Sequence, residues 1–403
     1  MPTRPDPRGS GGAATQHRTI CGDAKRRHGL DKYGKTDQAA PERRVPELMH
    51  EMMTDNEENT NQVAADAASD AAAMPYGVDL LTGIRPTGHL TVANYLGAVA
   101  PIVELQAQGV SPVVFVADLH ALTDSDPATI RQYTHGVVAD YIALGVDPRK
   151  AKIYLQSEIV GEVTTFTTLL AKLVSVAELL RVPTLKDKLR NDARPETANA
   201  LLLLYPVMMA ADILLNRSRR VAVGEDQVPH MEFARLIARR FNARYEPLLP
   251  IPQILQVESL RILSLKGEGK MSKSNPAGAL FLTDDMKTAA GKIKVAETAF
   301  EGVMNERLES HILIAKGLAK TDAERDEVAA IIEAHKSGKP VMGQFKQALT
   351  RIVQHFLEEF QAKRAEISRD PDYVPAVLEE GARVARQHAT ETLTEARRVL
   401  GFS

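Results

Sequence analysis

Residues 267–276, Gly-Glu-Gly-Lys-Met-Ser-Lys-Ser-Asn-Pro, set Lys270 and Lys273 three apart among glycines and serines. Two ammonium groups on so pliable a stretch can close over a polyphosphate and balance charge that grows on a leaving group. The bland alternative is a solvated loop, but the apolar anchors Leu263 and Leu265 before it and Pro276 after it favour a functional one. Thr91 and Asn94 form a second group, three apart where a helical period begins. Small polar side chains there stand beside free backbone N–H groups, which suits an anion; Thr91 reads equally well as a plain N-cap. Asp212, third, lies inside the apolar run 204–215. A buried carboxylate is costly without a partner, so Asp212 is either a structural partner or a ligand contact. Asp226 and Gln227 follow the apolar residues 221–223, at a strand-to-helix turn where α/β sheets bind ligands.

The elements that must hold these groups follow from period and punctuation. Residues 78–84 are a short apolar run closed by Arg85-Pro86-Thr87-Gly88, a strand and its turn. From 91 to about 108, Val92, Tyr95, Leu96, Val99, Ile102, Val103 and Leu105 recur at helical spacing. The unbroken apolar run 112–117 suits a strand covered on both faces in a parallel sheet. A helix at 128–144, strand at 152–155, helix at 198–215, strand at 220–223 and helix at 225–241 are expected next. This alternation predicts an α/β fold, a doubly wound parallel sheet of Rossmann type over residues 76–286. After about 287 only helical periods remain, at 306–316, 321–337, 342–366 and 373–400, a C-terminal helical domain over 287–403.

Residues 1–75 read as a disordered extension. Arg, Lys, Gly and Pro dominate up to 46, and from 49 to 73 acids appear with no Lys or Arg, so little apolar area is available to offset the ordering entropy. A translation start at Met49, Met52 or Met53 is a second reading of the same stretch, and a transit peptide a third, against which the acids Asp6, Asp23, Asp31 and Asp37 speak. Residues 29–36 match the phosphate-loop pattern G-x-x-x-x-G-K-[ST], yet neither the buried strand nor the helix that the motif needs flanks them. Across the chain, 403 residues exceed what one core usually serves. A single cysteine, Cys21, excludes an internal disulfide framework and a cysteine-based zinc site. The formal charge of −2 excludes a globally basic nucleic-acid coat, though not local patches. No apolar stretch nears the roughly 18 residues of a spanning helix, so no membrane association is expected and the cytoplasm is the default compartment.

In their order and spacing these motifs resemble those of class I aminoacyl-tRNA synthetases, and specifically tryptophanyl-tRNA synthetases of bacterial type. Lys270-Met271-Ser272-Lys273-Ser274 matches the KMSKS motif without a mismatch. Thr91-Val92-Ala93-Asn94 stands where the HIGH-like motif stands, and residues 209–214 and 224–227 are similar to the tryptophan enzymes. The likeness runs from about residue 78 to the C-terminus. It implies ATP with Mg2+ carried by the nucleotide, no protein metal site, L-tryptophan and tRNA(Trp) as partners, a helical domain that reads the anticodon, and a homodimer. It also implies phosphate contacts from Thr91, Asn94, Lys270 and Lys273, with Lys188 as a further phosphate-reaching lysine. Arg85, Pro86, Thr87, Ala93, Gly224, Glu225, Asp226, Met271, Ser272 and Ser274 would complete the ATP site, Asp226 on the ribose. For tryptophan, Asp212 would accept the indole N–H; Tyr205, Gln227 and His120 would take the amino-acid end; Leu81, Met209, Val221 and Val223 would line the ring. Three positions depart from the family pattern: Ala93 where glycine is usual, Arg85 where a neutral polar residue is common, and Leu81 where an aromatic is expected. A tyrosyl enzyme and a non-catalytic paralogue that binds RNA or protein are the rival readings.

Overall fold

The computed structural model describes residues 72–192, 198–224, 227–256 and 262–402, with only the backbone given at 187, 188, 190–192 and 256. The extension expected at 1–75, and the phosphate-loop match at 29–36, therefore lie outside the described residues up to 71. The chain is anchored slightly ahead of the expected boundary: Met74 N–H donates to Leu248 O at 3.0 Å and the Tyr76 hydroxyl to Ile251 O at 3.1 Å.

Five parallel strands, β1 (Val78–Ile84), β2 (Pro112–Val116), β3 (Lys152–Leu155), β4 (Ser218–Val223) and β5 (Gln253–Gln256), form one sheet in the order β3-β2-β1-β4-β5. Leu81 pairs in register with Val113 on one side and Val221 on the other. The chain reverses its winding between β1 and β4, so the crevice that such sheets offer to ligands opens there. β2 is buried at every position, as its unbroken apolar run requires. β5, Gln-Ile-Leu-Gln, escaped the sequence reading because four residues with polar ends at a sheet edge carry little signal.

Helices cover both faces. α1 starts at Val92–Asn94, widens to a π-turn at Tyr95–Val99 and continues as Ala100–Ala107, the widening falling just before Pro101, which has no N–H for the ladder. It shares one face with α2 (Pro127–Ala143). α3 (Val160–Ala171), α4 (Pro183–Asp192), α5 (Ala200–Leu215) and α6 (Val228–Arg244) belong to the other side. Beyond them α7 (Met286–Lys294), α8 (Glu306–Leu318), α9 (Asp322–Lys336), α10 (Met342–Ile367) and α11 (Tyr373–Val399) follow the periods read from the sequence, α7 having been missed. These C-terminal helices share buried clusters with the sheet faces: Val114 and Ile153 pack in one cluster with Leu349 and Phe356, and Val221 in the other with Ala385 and Ala389.

α11 crosses β3 so closely that a β-carbon on Gly381 would lie 1.9 Å from the Ile153 carbonyl oxygen. Gly381→Ala is therefore expected to push the helix off the strand, at about 1–3 kcal/mol on the scale of overpacking. A drop of several degrees in Tm is the measurable result; an unchanged Tm would show that the helix slides aside freely.

His311 on α8 is wholly buried, and neither ring nitrogen has a hydrogen-bond partner among the described residues. Burial, aided by the charges of Arg307 and Lys346, pulls its pKa down to about 4. The unfolded chain then binds this proton first, near pH 6.5, so the stability tied to neutral His311 is complete above that pH. It is lost as pH falls from about 6.5 through 4, by up to about 3 kcal/mol. His311→Leu is expected to flatten Tm across that window, and a parallel decline in both proteins would place the sensitivity elsewhere.

Candidate active site

A cavity of about 380 Å³ opens at the switch point between β1 and β4. Its floor is strand: Leu81 from β1, Val221 and Val223 from β4. One wall is α5, which Asn199 caps by accepting the Leu202 N–H and which presents Tyr205 and Met209. His120 on the turn after β2, and Gln227 at the head of α6, close the rim. Every residue that the resemblance assigned to tryptophan lines this space except Asp212. The aromatic expected at Leu81 arrives from the next strand: Phe115 of β2 lines the cavity, in room left by Gly83, where a β-carbon would sit 2.6 Å from its ring.

Asp212 is the one that does not line the cavity. Its side chain has no exposure and does not lack donors: Gln156 Nε2 donates to both carboxylate oxygens, at 2.9 and 2.8 Å, and His120 Nε2 lies 2.9 Å from Oδ2. The carboxylate that looked unpaired in an apolar helix is thus satisfied from behind the cavity wall. Burial raises its pKa, and the bonds from His120 and Gln156 pull it back. In holding His120, it fixes a ring that the cavity does expose.

Two further residues were missed. The Thr184 hydroxyl sits 2.7 Å from the Tyr205 hydroxyl and hydrogen-bonds to His230 Nε2, while Tyr205 and His230 are 3.4 Å apart. Thr184 heads α4, the helix that carries Lys188, and His230 lies three residues beyond Gln227, so both signals were present beside recognised positions. Burial raises the Tyr205 pKa, offset by the bond to Thr184 and the charge of Arg85.

The other half of the site is where α1 meets the lysine loop. Thr91 resolves as a cap: its hydroxyl accepts the Asn94 backbone N–H, and Asn94 Oδ1 accepts the Thr91 N–H at 3.0 Å and hydroxyl at 3.1 Å. With its oxygen spent on the box, the Asn94 amide still has its N–H groups for an anion. The chain after the loop pairs with the start of α1, through an antiparallel bridge Thr91↔Phe281 flanked by Val92 N–H to Leu280 O at 2.8 Å and Leu282 N–H to Leu90 O at 2.9 Å. The loop turns on Gly267 and Gly269, at φ of 83° and 86°, which glycine adopts readily. Met271 is buried in the cluster with Leu90 and Leu96, and the Ser272 and Ser274 hydroxyls lie 3.0 Å apart. Lys270 is exposed, whereas Lys273 reaches back to donate to Gly88 O at 2.9 Å, its pKa lowered by burial. Pro86 is buried, Thr87 N–H turns back to Arg85 O at 3.0 Å, and Arg85 and Gly224 line the cavity. Ala93 packs half-buried on the core. Glu225 and Asp226 lie outside the described residues, as does the Lys188 side chain.

Residues 77–358 match the family model for class I tRNA synthetases of the W and Y type. The chain is 36% identical over 335 residues to the tryptophan--tRNA ligase of Treponema pallidum, covering 80% of this chain and 97% of that protein. It is 35% identical over 332 residues to that of Porphyromonas gingivalis, covering 80% and 99%. Among solved structures, the tryptophanyl-tRNA synthetase of Mycoplasma pneumoniae superposes with a TM-score of 0.72 at 32% identity, over 81% of this chain and 98% of that one. The Campylobacter jejuni enzyme complexed with ADP and tryptophan gives 0.69 at 29%, over 80% and 100%. Fold, motif order and relatives agree: the chain belongs to the class I aminoacyl-tRNA synthetases, in their tryptophanyl branch.

Proposed function

We propose that this protein is an ATP-dependent, AMP-forming tryptophan--tRNA ligase. The observation that carries the reading is the pairing of an apolar cavity at the switch point with a lysine loop pinned to the head of α1. The cavity has the size and walls for an indole, and its polar rim of His120, Tyr205 and Gln227 suits the amino-acid end. The carboxylate of bound tryptophan attacks the α-phosphate of Mg–ATP in line, and pyrophosphate leaves. No side-chain nucleophile is required, so positioning and charge stabilisation supply the rate. Asn94, Lys270 and Lys273 take phosphate oxygens, Met271 and Gly224 border the nucleotide, Asp226 takes the ribose, and Lys188 reaches the phosphates from α4. The adenylate is then passed to the 3′ end of tRNA(Trp). In this reading the helices after residue 286 bind the tRNA at its anticodon, the enzyme works as a homodimer, and it acts in the cytoplasm.

ATP–pyrophosphate exchange with a panel of amino acids tests the assignment. Exchange that depends on tryptophan is the expected result; dependence on tyrosine, or none on any amino acid, would overturn it.

A further inference from the structure

Arg85 lines the cavity just past the end of β1. It shares the cavity lining with Tyr205, and its charge acts on the Tyr205 hydroxyl and on the Lys273 ammonium of the loop. Arg85 Nη2 is ion-paired with Asp124 Oδ1. The contact is made at a single point: Arg85 Nε is buried without a hydrogen-bond partner, so the planar fork is only partly used. A ligand carboxylate can engage such a fork with two parallel bonds, a stronger arrangement than one. The side chains of the pair are 36% and 42% exposed, and ion pairs that open to water contribute little to stability. The buried His120–Asp212 contact could not be exchanged in this way; the Arg85–Asp124 contact can.

We propose that Asp124 is a built-in competitor for the substrate carboxylate. It occupies Arg85 while the cavity is empty and releases it to the α-carboxylate when the amino acid enters. The inference rests on the tryptophan reading above and adds a residue to it. The competitor lowers affinity for the amino acid, and it keeps an unpaired cation out of the cavity mouth between turnovers.

The chain contains no Trp, so indole emission comes from ligand alone and binding can be followed by fluorescence titration. Two probes are compared: L-tryptophan, and tryptamine, which lacks the carboxylate. Asp124→Asn is expected to tighten L-tryptophan by a few-fold, up to about fivefold for an exposed pair, and to leave tryptamine unchanged. Arg85→Gln is expected to weaken L-tryptophan about tenfold or more, as for loss of a charged hydrogen bond, again without effect on tryptamine. In the double variant the gain from Asp124→Asn should vanish. Asp124→Asn without effect on L-tryptophan, or either variant shifting both probes equally, overturns the assignment and leaves the enzyme's identity standing. A parent protein that binds neither probe overturns the tryptophan reading itself.

Discussion

Lys273→Ala is expected to lower kcat for adenylate formation by roughly a hundredfold or more, on the scale of losing one preorganised donor to a developing charge. Negative charge accumulates on pyrophosphate as it leaves, so an ammonium placed there acts more on the transition state than on bound ATP. Lys273 is held by the Gly88 carbonyl, at the turn between β1 and α1, and burial lowers its pKa. Among the described residues its hydrogen bond is to this neutral acceptor, so phosphate oxygens that reach the ammonium would have one carbonyl to displace. Lys270 is exposed and must swing in with the loop, and Lys270→Ala is expected to act in the same direction. Steady-state ATP–pyrophosphate exchange separates the terms. A rise in the KM for ATP with kcat intact would mean that the lysines bind ground-state nucleotide and do no more.

Asp212→Asn should cost roughly 10- to 150-fold in kcat/KM for tryptophan, corresponding to about 1.5–3 kcal/mol for a hydrogen bond to a charged acceptor. The geometry changes what accompanies that loss. An asparagine offers one neutral oxygen where the carboxylate offers two charged ones, so the bonds from Gln156 Nε2 and His120 Nε2 cannot all be kept unless His120 takes the tautomer whose Nε2 accepts. Tm should therefore fall with activity, and His120 should lose its fixed orientation on the cavity rim. Because the carboxylate sits behind the wall, an analogue lacking the indole N–H, such as the benzothiophene, is expected to lose about as much as tryptophan. A loss confined to tryptophan would show instead that the carboxylate reaches the indole directly.

What could be read from the sequence was whatever lies contiguous in it. The lysine loop, the Thr91–Asn94 pair and the run of buried β2 are each complete within a few residues, so their chemistry and placement were legible. The strands at 78–84, 112–117, 152–155 and 220–223 announced themselves as short apolar segments, and the helices from 306 onward by period. The side chains missed around the site share one cause. Gln156, Thr184, His230 and Asp124 matter only through what they touch, and each partner is supplied by another element of the fold. Asp212 shows the cost of this: its helix is apolar on all sides in sequence, yet the donors that satisfy it come from β3's end and from the turn after β2. Phe115 is the converse, an aromatic wall that no local pattern assigns to the cavity because it is delivered by register between neighbouring strands.

The bridge between Thr91 and Phe281, and the reach of Lys273 to Gly88 across 185 positions of chain, also bear on how the molecule is made. Contacts of such long sequence separation form late, since the loop between them must be closed before they contribute anything. On the ribosome the sheet up to β4, with the floor and walls of the indole cavity, emerges well before residues 270–282. A nascent chain therefore has these parts of the cavity outside the ribosome before the lysine loop has emerged and can zip onto α1.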